Sequence, residues 1–311
     1  MKGLKVLSTG YYAPEKVVSN FDFEKQIDTS DEWIVKRTGI RNRHFVEGQT
    51  NVDIGYLAAK KAIENNNIDT SKIGLIIVAT MSPDSFTPST ACLIQEKLGL
   101  NDQQIMAFDI SAACSGFVYG LTIVNSLLKT MPGKYALVIG SEVLSNLVDF
   151  KDRTTCILFG DGAGAMIVEN SDQLFVAYND SCGEKQGLYA DTRGEDTYLH
   201  MAGQEIFKFA VRIIPVCIDK VLQEANLTLD DIDYVVCHQA NSRIISNVYK
   251  KLNSTADKFY MNLQEYGNTS GATIPLALGE MDEKGMIKPG MKIICVGFGG
   301  GLTWGATLLE W

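Results

Sequence analysis

Apolar positions along this chain follow two patterns, short solid runs and helically spaced stripes. The runs IGLIIVAT (73–80), YALVIGSEV (135–143), AGAMIVEN (163–170), IDYVVCHQ (232–239), KIICVGFGG (292–300) and WGATLLEW (304–311) are dominated by aliphatic residues. They predict buried strands. TNVDIGYLAAKKAIENNNI (50–68), the residues after Phe117 and the stretch from Gln204 to Ala225 instead repeat apolar positions every three or four residues, which predicts amphipathic helices. The opening, MKGLKVLSTGYYAPEK, has a lone basic flank and a short apolar stretch broken by glycine. It suits a first strand and makes a poor signal peptide. Strands alternating with helices predict an α/β fold.

The runs also come in pairs. IGLIIVAT resembles IDYVVCHQ, YALVIGSEV resembles KIICVGFGG, and AGAMIVEN resembles WGATLLEW; a further pair, AACSGFVYGL (112–121) and TSGATIPLAL (269–278), lies between the first two. Four segments in preserved order point to a duplicated unit. AGAMIVEN and WGATLLEW are more closely spaced than the other pairs, as a longer loop around Ser145–Thr155 in the first half would cause. The expected architecture is two α/β halves, residues 1–170 and 171–311, related by a pseudo-twofold axis, with sheets sandwiching buried helices and a site between the halves. Aligning the two Ser-Gly pairs sets Cys114 opposite Thr269 and Asn268 opposite Ala113.

Composition and charge narrow the function classes. The 311 residues suffice for two ordinary domains or one large two-lobed domain, and 46% hydrophobic with 21% charged residues is the balance of a soluble, core-forming protein. No apolar run approaches the roughly 20 residues of a membrane span, so no membrane partner is expected. A net charge of −9 argues against nucleic-acid binding. Against that trend, IVKRTGIRNRH gathers Lys36, Arg37, Arg41, Arg43 and His44, readable as a solvated basic face or as a seat for an anionic ligand or partner. Seven cysteines without a C-x-x-C pair do not suggest a disulfide framework or a metal site; reduced thiols in a cytoplasm fit better. Cys92, Cys156, Cys217 and Cys295 lie in apolar runs and are expected in the core.

At DISAACSGFVYG (109–120) the pattern gains chemistry. Phe108–Ile110 reads as a strand end and Phe117–Leu128 as a helix, which sets Cys114 at or just before a helix N-terminus. Unpaired N–H groups and the macrodipole there favour a thiolate, and Ala112, Ala113, Ser115 and Gly116 leave room for a substrate. Free cysteines are also commonly buried structural residues, and this motif alone leaves both readings open. CHQANSRII (237–245) sets His238 directly after a buried strand, and GNTSGA (267–272) sets Asn268 in the repeat equivalent of the cysteine turn. A lone histidine at a strand end, or an asparagine beside glycine tolerating an unusual φ, is more often structural. The repeat nevertheless brings Cys114, His238 and Asn268 toward one point, and a nucleophile with two hydrogen-bonding partners is a mechanism. GDGAGA (160–165) loosely fits a dinucleotide-binding pattern, but AMIVEN after it reads as a strand where that fingerprint requires a helix.

DISAACSGF, HQANSRII, GNTSGATIP and GFGGGLTWG, together with SDEWIVKRTGIR (30–41) and RTTCILFGDGAGA (153–165), resemble the signature segments of β-ketoacyl-acyl-carrier-protein synthase III, the condensing enzymes that initiate bacterial fatty-acid synthesis. The likeness runs from the first strand to the last residue. It implies a thiolase-like αβαβα sandwich, a homodimer, and a ping-pong decarboxylative condensation that uses no cofactor, acyl-CoA being a substrate. Under the resemblance Cys114 is acylated by an acyl-CoA, most simply acetyl-CoA. Malonyl-acyl-carrier-protein then loses CO₂, and its enolate attacks the acyl-cysteine. His238 Nε2–H and the Asn268 amide donate to the enolate oxygen, while the backbone N–H groups of Cys114 and Gly300 hold the tetrahedral oxyanion. Trp33 and Arg153 are implied as the clamp on the adenine, Thr29 and Arg37 as neighbours of the nucleotide and its phosphates, and Gly203, Phe207, Ala240 and Asn241 as the pantetheine tunnel. Thr87, in SFTPS, stands where some relatives carry a phenylalanine that reaches across the dimer and closes the partner's acyl pocket. Lys208 and Arg212, four apart on one helix face, and Arg243 are candidates for meeting an acidic carrier protein.

Other readings use the same residues. A secondary-metabolite condensing enzyme or acyltransferase of the same fold would share the triad. A papain-like hydrolase also orders Cys, His and Asn along its chain, but here the C-G-S-C-W signature is missing and the internal repeat would go unexplained. A non-catalytic acyl-CoA-binding homologue would have no use for an intact triad.

Overall fold

The computed structural model describes residues 3–185, 187–194 and 196–311. The aliphatic runs form strands where both faces can be covered: every residue of the strand Ile73–Ala79 is buried. The first sheet runs in the order β1 (Gly3–Tyr12), β7 (Gly162–Ser171), β6 (Tyr135–Glu142), β4 (Ile73–Ala79) and β5 (Met106–Ile110). Its first two pairings are antiparallel and its last two parallel. The second sheet runs β8 (Phe175–Glu184), β13 (Gly301–Glu310), β12 (Lys292–Gly299), β11 (Tyr234–Cys237), antiparallel twice and then parallel. Where the first sheet has β5, the second keeps an isolated parallel bridge between Val235 and Phe259. Order and sense therefore repeat strand for strand. Two small two-stranded antiparallel sheets, β2 (Lys16–Ser19) with β3 (Asn42–Phe45) and β9 (Leu188–Ala190) with β10 (Leu199–Met201), lie outside the repeat.

Helices fill three layers. The short α1 (Asn20–Glu24) and α2 (Asp31–Thr38) precede α3 (Asn51–Asn65) and α4 (Thr90–Lys97), of which α3 covers β1, β7 and β6. On the far side α6 (Gly203–Ala225) covers β13, β12 and β8 beside α7 (Ser242–Lys251). Between the sheets lie α5 (Gly116–Leu127) and, after the single turn α8 (Leu263–Tyr266), α9 (Thr273–Glu283). Nine consecutive residues of α9, Thr273–Met281, are buried, as a helix enclosed by two sheets requires. This is the αβαβα sandwich the resemblance implies, with buried helices between two sheets as the paired runs predict.

The loops explain the unequal spacing of the repeat. Only Gly300 separates β12 from β13, whereas residues 143–161 separate β6 from β7. The helix expected over 50–68 starts as expected, where Thr50 and Asp53 form a reciprocal capping box. It stops at Asn65 because the chain turns through Asn67 at a φ of 48°. GDGAGA enters strand β7, not a helix. Cys92 differs from expectation: it lies on the exposed face of α4, while Cys156, Cys217 and Cys295 are in the core. The basic stretch also divides. Arg43 is fully buried, its guanidinium donating to Val18 O, Asn20 Oδ1 and Ile157 O, and Arg41 lies 3.7 Å from Asp31.

One consequence of the duplication positions the site. The 3-10 turn Ala113–Ser115, from the first half, packs against β12 of the second, and the turn Ser270–Ala272, from the second half, packs against β6 of the first. Glycine permits both approaches. A Cβ on Gly299 would sit 3.0 Å from the backbone nitrogen of Cys114, and one on Gly140 would strike the carbonyl of Gly271.

Candidate active site

Cys114 stands where β5 has ended and α5 has not begun. Asp109 near the end of β5 accepts hydrogen bonds from the N–H groups of Thr90 (2.7 Å) and Ala91 (2.8 Å), which ties this strand to the start of α4. Ala113 then adopts a φ of 44°, and the turn it opens delivers Cys114 two residues before Gly116 starts α5. The thiol is only 5% exposed and donates to Ser270 Oγ at 3.4 Å. Burial pushes it up to about 12. Burial thus opposes the helix terminus, which favours the thiolate.

His238 follows β11 directly and extends its ladder, donating from its backbone to Val296 O at 2.8 Å. Its ring meets Phe298 edge-on at 5.1 Å between centroids. Nδ1 shares a 2.8 Å hydrogen bond with the Thr273 hydroxyl, which also reaches Ser270 O at 3.1 Å. The single hydroxyl proton serves one of these bonds at a time: on Ser270 O it leaves Nδ1–H to donate and Nε2 to accept, whereas turned to Nδ1 it leaves Nε2 carrying the ring hydrogen as a donor. Burial lowers this imidazole to about 3, so it is neutral throughout the physiological range.

Asn268 is held at both backbone ends, donating to Leu158 O and accepting from Gly160 N. Its side-chain oxygen accepts from Ser270 N at 2.8 Å, which turns the amide NH₂ the other way. The positive-φ conformations in GNTSGA belong to Gly267 (φ 65°) and Ser270 (φ 48°), not to Asn268. Cys114, His238 and Asn268 all line one narrow cavity of about 70 Å³, together with Leu188, Ala240, Phe298 and Gly299. Gly300 adjoins it: the Thr303 hydroxyl lies within 3.1 Å of Gly300 O, Ala112 O and Ser115 Oγ and so ties that bend to the cysteine turn.

The cavity opens outward. Leu158, Met201, Gly203, Phe207 and Asn241 line both it and a wider cleft of about 730 Å³. At the rim of that cleft Trp33 is flanked by the guanidinium groups of Arg37 (4.4 Å from the ring centroid) and Arg153 (5.2 Å). Arg153 is anchored to the Asp28 carbonyl at 2.7 Å. Lys208 and Arg243 also line the cleft, Arg243 lying over the Phe207 ring. Other expected residues lie elsewhere. Thr29 borders neither cavity, and its hydroxyl is buried with no hydrogen-bond partner among the described residues. Arg212 shares a separate groove with Lys208, Glu184 and Glu205, where Lys208 pairs with Glu205 at 2.9 Å. Thr87 is exposed beside Phe86, away from the cavity of its own chain. Sequence reasoning passed over Ser270, Thr273 and Glu142. Glu142 carried a signal nonetheless, as a charged residue within the apolar run YALVIGSEV.

A buried cysteine between two duplicated sheets, facing a histidine and an asparagine from the opposite half, defines a thiolase-fold condensing enzyme. Residues 108–180 match the family model "3-Oxoacyl-[acyl-carrier-protein (ACP)] synthase III" and residues 222–311 match the corresponding C-terminal model. The chain is similar to the β-ketoacyl-[acyl-carrier-protein] synthase III of Clostridium acetobutylicum, at 48% identity covering 100% of this chain and 99% of the relative. It is similar also to that of Acholeplasma laidlawii, at 52% identity covering 99% and 98%. The crystal structure of 3-oxoacyl-[acyl-carrier-protein] synthase III from Aquifex aeolicus VF5 superposes with a TM-score of 0.94 at 44% identity, covering 99% of this chain and 100% of that one. The chain belongs to the β-ketoacyl-[acyl-carrier-protein] synthase III family, acyltransferases that carry out the initiating condensation of fatty-acid synthesis.

Proposed function

We propose that the protein transfers an acyl group from acyl-CoA to Cys114 and condenses it, with loss of CO₂, with malonyl-acyl-carrier-protein to give a 3-oxoacyl-acyl-carrier-protein. The observation that carries this reading is the continuous passage from the Trp33–Arg153 rim, past Gly203, Phe207 and Asn241, to Cys114. Its mouth offers an aromatic face and cations to a nucleotide, and its apolar walls suit a pantetheine arm. At the inner end, the Asn268 NH₂ and His238 Nε2–H donate to the enolate oxygen that forms as malonyl loses CO₂. A neutral histidine suits this task, since it donates without needing to carry charge. The N–H groups of Cys114 and Gly300 serve the tetrahedral oxyanions, and the reaction calls for no cofactor.

Several finer assignments belong to the same reading. Lys208 and Arg243 at the cleft, with Arg212 beside them, receive the carrier protein; Thr29 supports the nucleotide rim through its neighbour Asp28, which anchors Arg153. The chain divides at 170/171 into its two repeated halves. Two copies pair through the outer edge of β5, where Met106 is 49% exposed, and this brings Thr87 of each to the acyl pocket of the other. The seven unpaired thiols suit a cytoplasmic enzyme. The test is intact-mass spectrometry of the enzyme with acetyl-CoA, then with malonyl-acyl-carrier-protein. Wild type should gain one acetyl group and release it as 3-oxobutanoyl product, and Cys114→Ser should gain none. Release of free acid without the malonyl partner would instead identify a hydrolase.

A further inference from the structure

The basic stretch from Lys36 to His44 leaves one residue without a role. Arg37 lies beside Trp33 and Arg41 beside Asp31, whereas Arg43 turns inward from β3 and has no exposed surface. Its oxygen partners are all neutral: Asn20 Oδ1 and the carbonyls of Val18, Arg41 and Ile157. The centroid of the Phe23 ring lies 4.8 Å from the guanidinium carbon. Burial lowers the group to about 10, which leaves it a cation at neutral pH. A buried cation among neutral partners is costly, and an apolar side chain of similar length would fill the space without that cost. What the guanidinium alone supplies is a rigid planar fork that donates in two directions.

Those two directions lead to two walls of the large cleft. Nη1 donates to Asn20 Oδ1 at 2.8 Å, and Asn20 is itself fully buried. Its amide passes the tie on, Nδ2 donating to Asp31 Oδ1 at 2.9 Å and to Ile40 O at 2.8 Å. Asp31 opens α2 and Ile40 comes just after its end, so Asn20 grips that helix from both sides. Helix α2 is the wall that presents Trp33, Arg37 and Thr38 to the cleft. Nη2 of Arg43 donates instead to Ile157 O at 2.5 Å, in the segment that presents Arg153, Thr154 and Leu158. A second tie between these walls, from Arg153 to the Asp28 carbonyl, crosses at the solvent-exposed rim. Arg43 is the buried one.

We propose that Arg43 is a positioning residue that fixes the spacing of the Trp33–Arg153 clamp, holding α2 and the 153–158 segment on the two arms of one guanidinium. The inference rests on the reading of that clamp as the seat of the acyl-CoA nucleotide. Trp33 and Arg153 come from distant parts of the chain, and their groups stand 5.2 Å apart. An aromatic base gains from both only at a fixed separation, so a shift of either wall loosens its hold while both side chains remain in place. A lysine at position 43 would keep the charge without the fork, and a methionine would keep the volume and neither. Cys114 lies at the other end of the passage, so the effect is confined to acyl donors that carry a nucleotide.

The test compares two acyl donors, acetyl-CoA and S-acetylpantetheine, which has the arm and the thioester but no nucleotide. Second-order rate constants for acetylation of the enzyme are read by intact mass in wild type, Arg43→Met, Arg43→Lys and Trp33→Ala. The ratio of the two constants is the preference for acetyl-CoA. Arg43→Met and Arg43→Lys should each lower that preference on the order of 10-fold, the weight of one aromatic–cation contact. A general loss of structure would lower both constants together and leave the ratio as it was. Should Arg43→Met prove too unstable to purify, Arg43→Lys, which keeps the buried charge, carries the test alone. In Trp33→Ala, which already lacks the clamp, adding Arg43→Lys should lower the preference no further. A wild-type preference in folded Arg43→Lys, or a full second fall in the double variant, overturns the role of Arg43 while leaving the clamp. A wild-type preference in Trp33→Ala overturns the clamp and, with it, the inference.

Discussion

Replacing Asn268 with aspartate reverses one face of a side chain whose other face is fixed. The Asn268 oxygen accepts from Ser270 N at 2.8 Å, and an aspartate oxygen can accept the same bond in the same shape. Local geometry should therefore survive. The opposite face, an NH₂ donor in the asparagine, becomes a second acceptor in a pocket where the residue is only 6% exposed. It would then meet the developing enolate oxygen as a repulsive neighbour. Losing one preorganised donor costs on the order of 10²–10³ in turnover, or about 2.7–4 kcal/mol of transition-state stabilisation, and the repulsion adds to that figure. Formation of the acyl-Cys114 thioester does not use this donor and should proceed within a few-fold of wild type. Two measurements made side by side decide the matter: acetyl-enzyme by intact mass, and CO₂ released from malonyl-acyl-carrier-protein. Decarboxylation at the wild-type rate would refute the role given to Asn268. An equal loss in both half-reactions would show instead that the residue shapes the whole pocket.

Two further outcomes follow from features at the rim and in the core. Trp33→Ala and Arg153→Ala should raise KM for acetyl-CoA with less effect on kcat, since both act far from the reacting bond; steady-state kinetics showing an unchanged KM in both variants would refute the adenine clamp. Burial raises the Glu142 carboxyl from its ordinary 4.5 to about 7. A group raised in this way contributes stability that is fully present below its unfolded value and is lost as pH climbs through the folded one. Glu142→Gln carries no ionisation, so its melting temperature relative to wild type should rise between about pH 5 and about pH 8, and a constant difference would contradict the burial.

The layered fold was legible because its strands are buried on both faces. A strand such as β4, with no exposed residue, must be written as an unbroken aliphatic run, and a duplicated sheet writes that run twice. The site was legible to the extent that the repeat aligned the cysteine turn with the asparagine turn. What escaped depends on tertiary surroundings. Cys92 sits in an apolar stretch, yet the face of α4 that carries it points outward. Arg43 belongs to a basic run, yet three backbone or amide oxygens from distant segments draw its guanidinium inside. The burial of Cys114 escaped for the same reason: proximity to a helix terminus is visible in a chain, whereas packing against β12 is not.

The crossing of the two turns, each seated on a strand of the other half, makes the active centre a property of the closed molecule alone. Residues 113–115 gain their floor only when β12 is present, and residues 270–272 gain theirs only when β6 is present. Neither half by itself can hold the thiol, the imidazole and the amide at one point. Drift in either copy is policed by the other, because an added methyl group at Gly140 would be felt at Gly271 and Ala272 and one at Gly299 would be felt at Cys114.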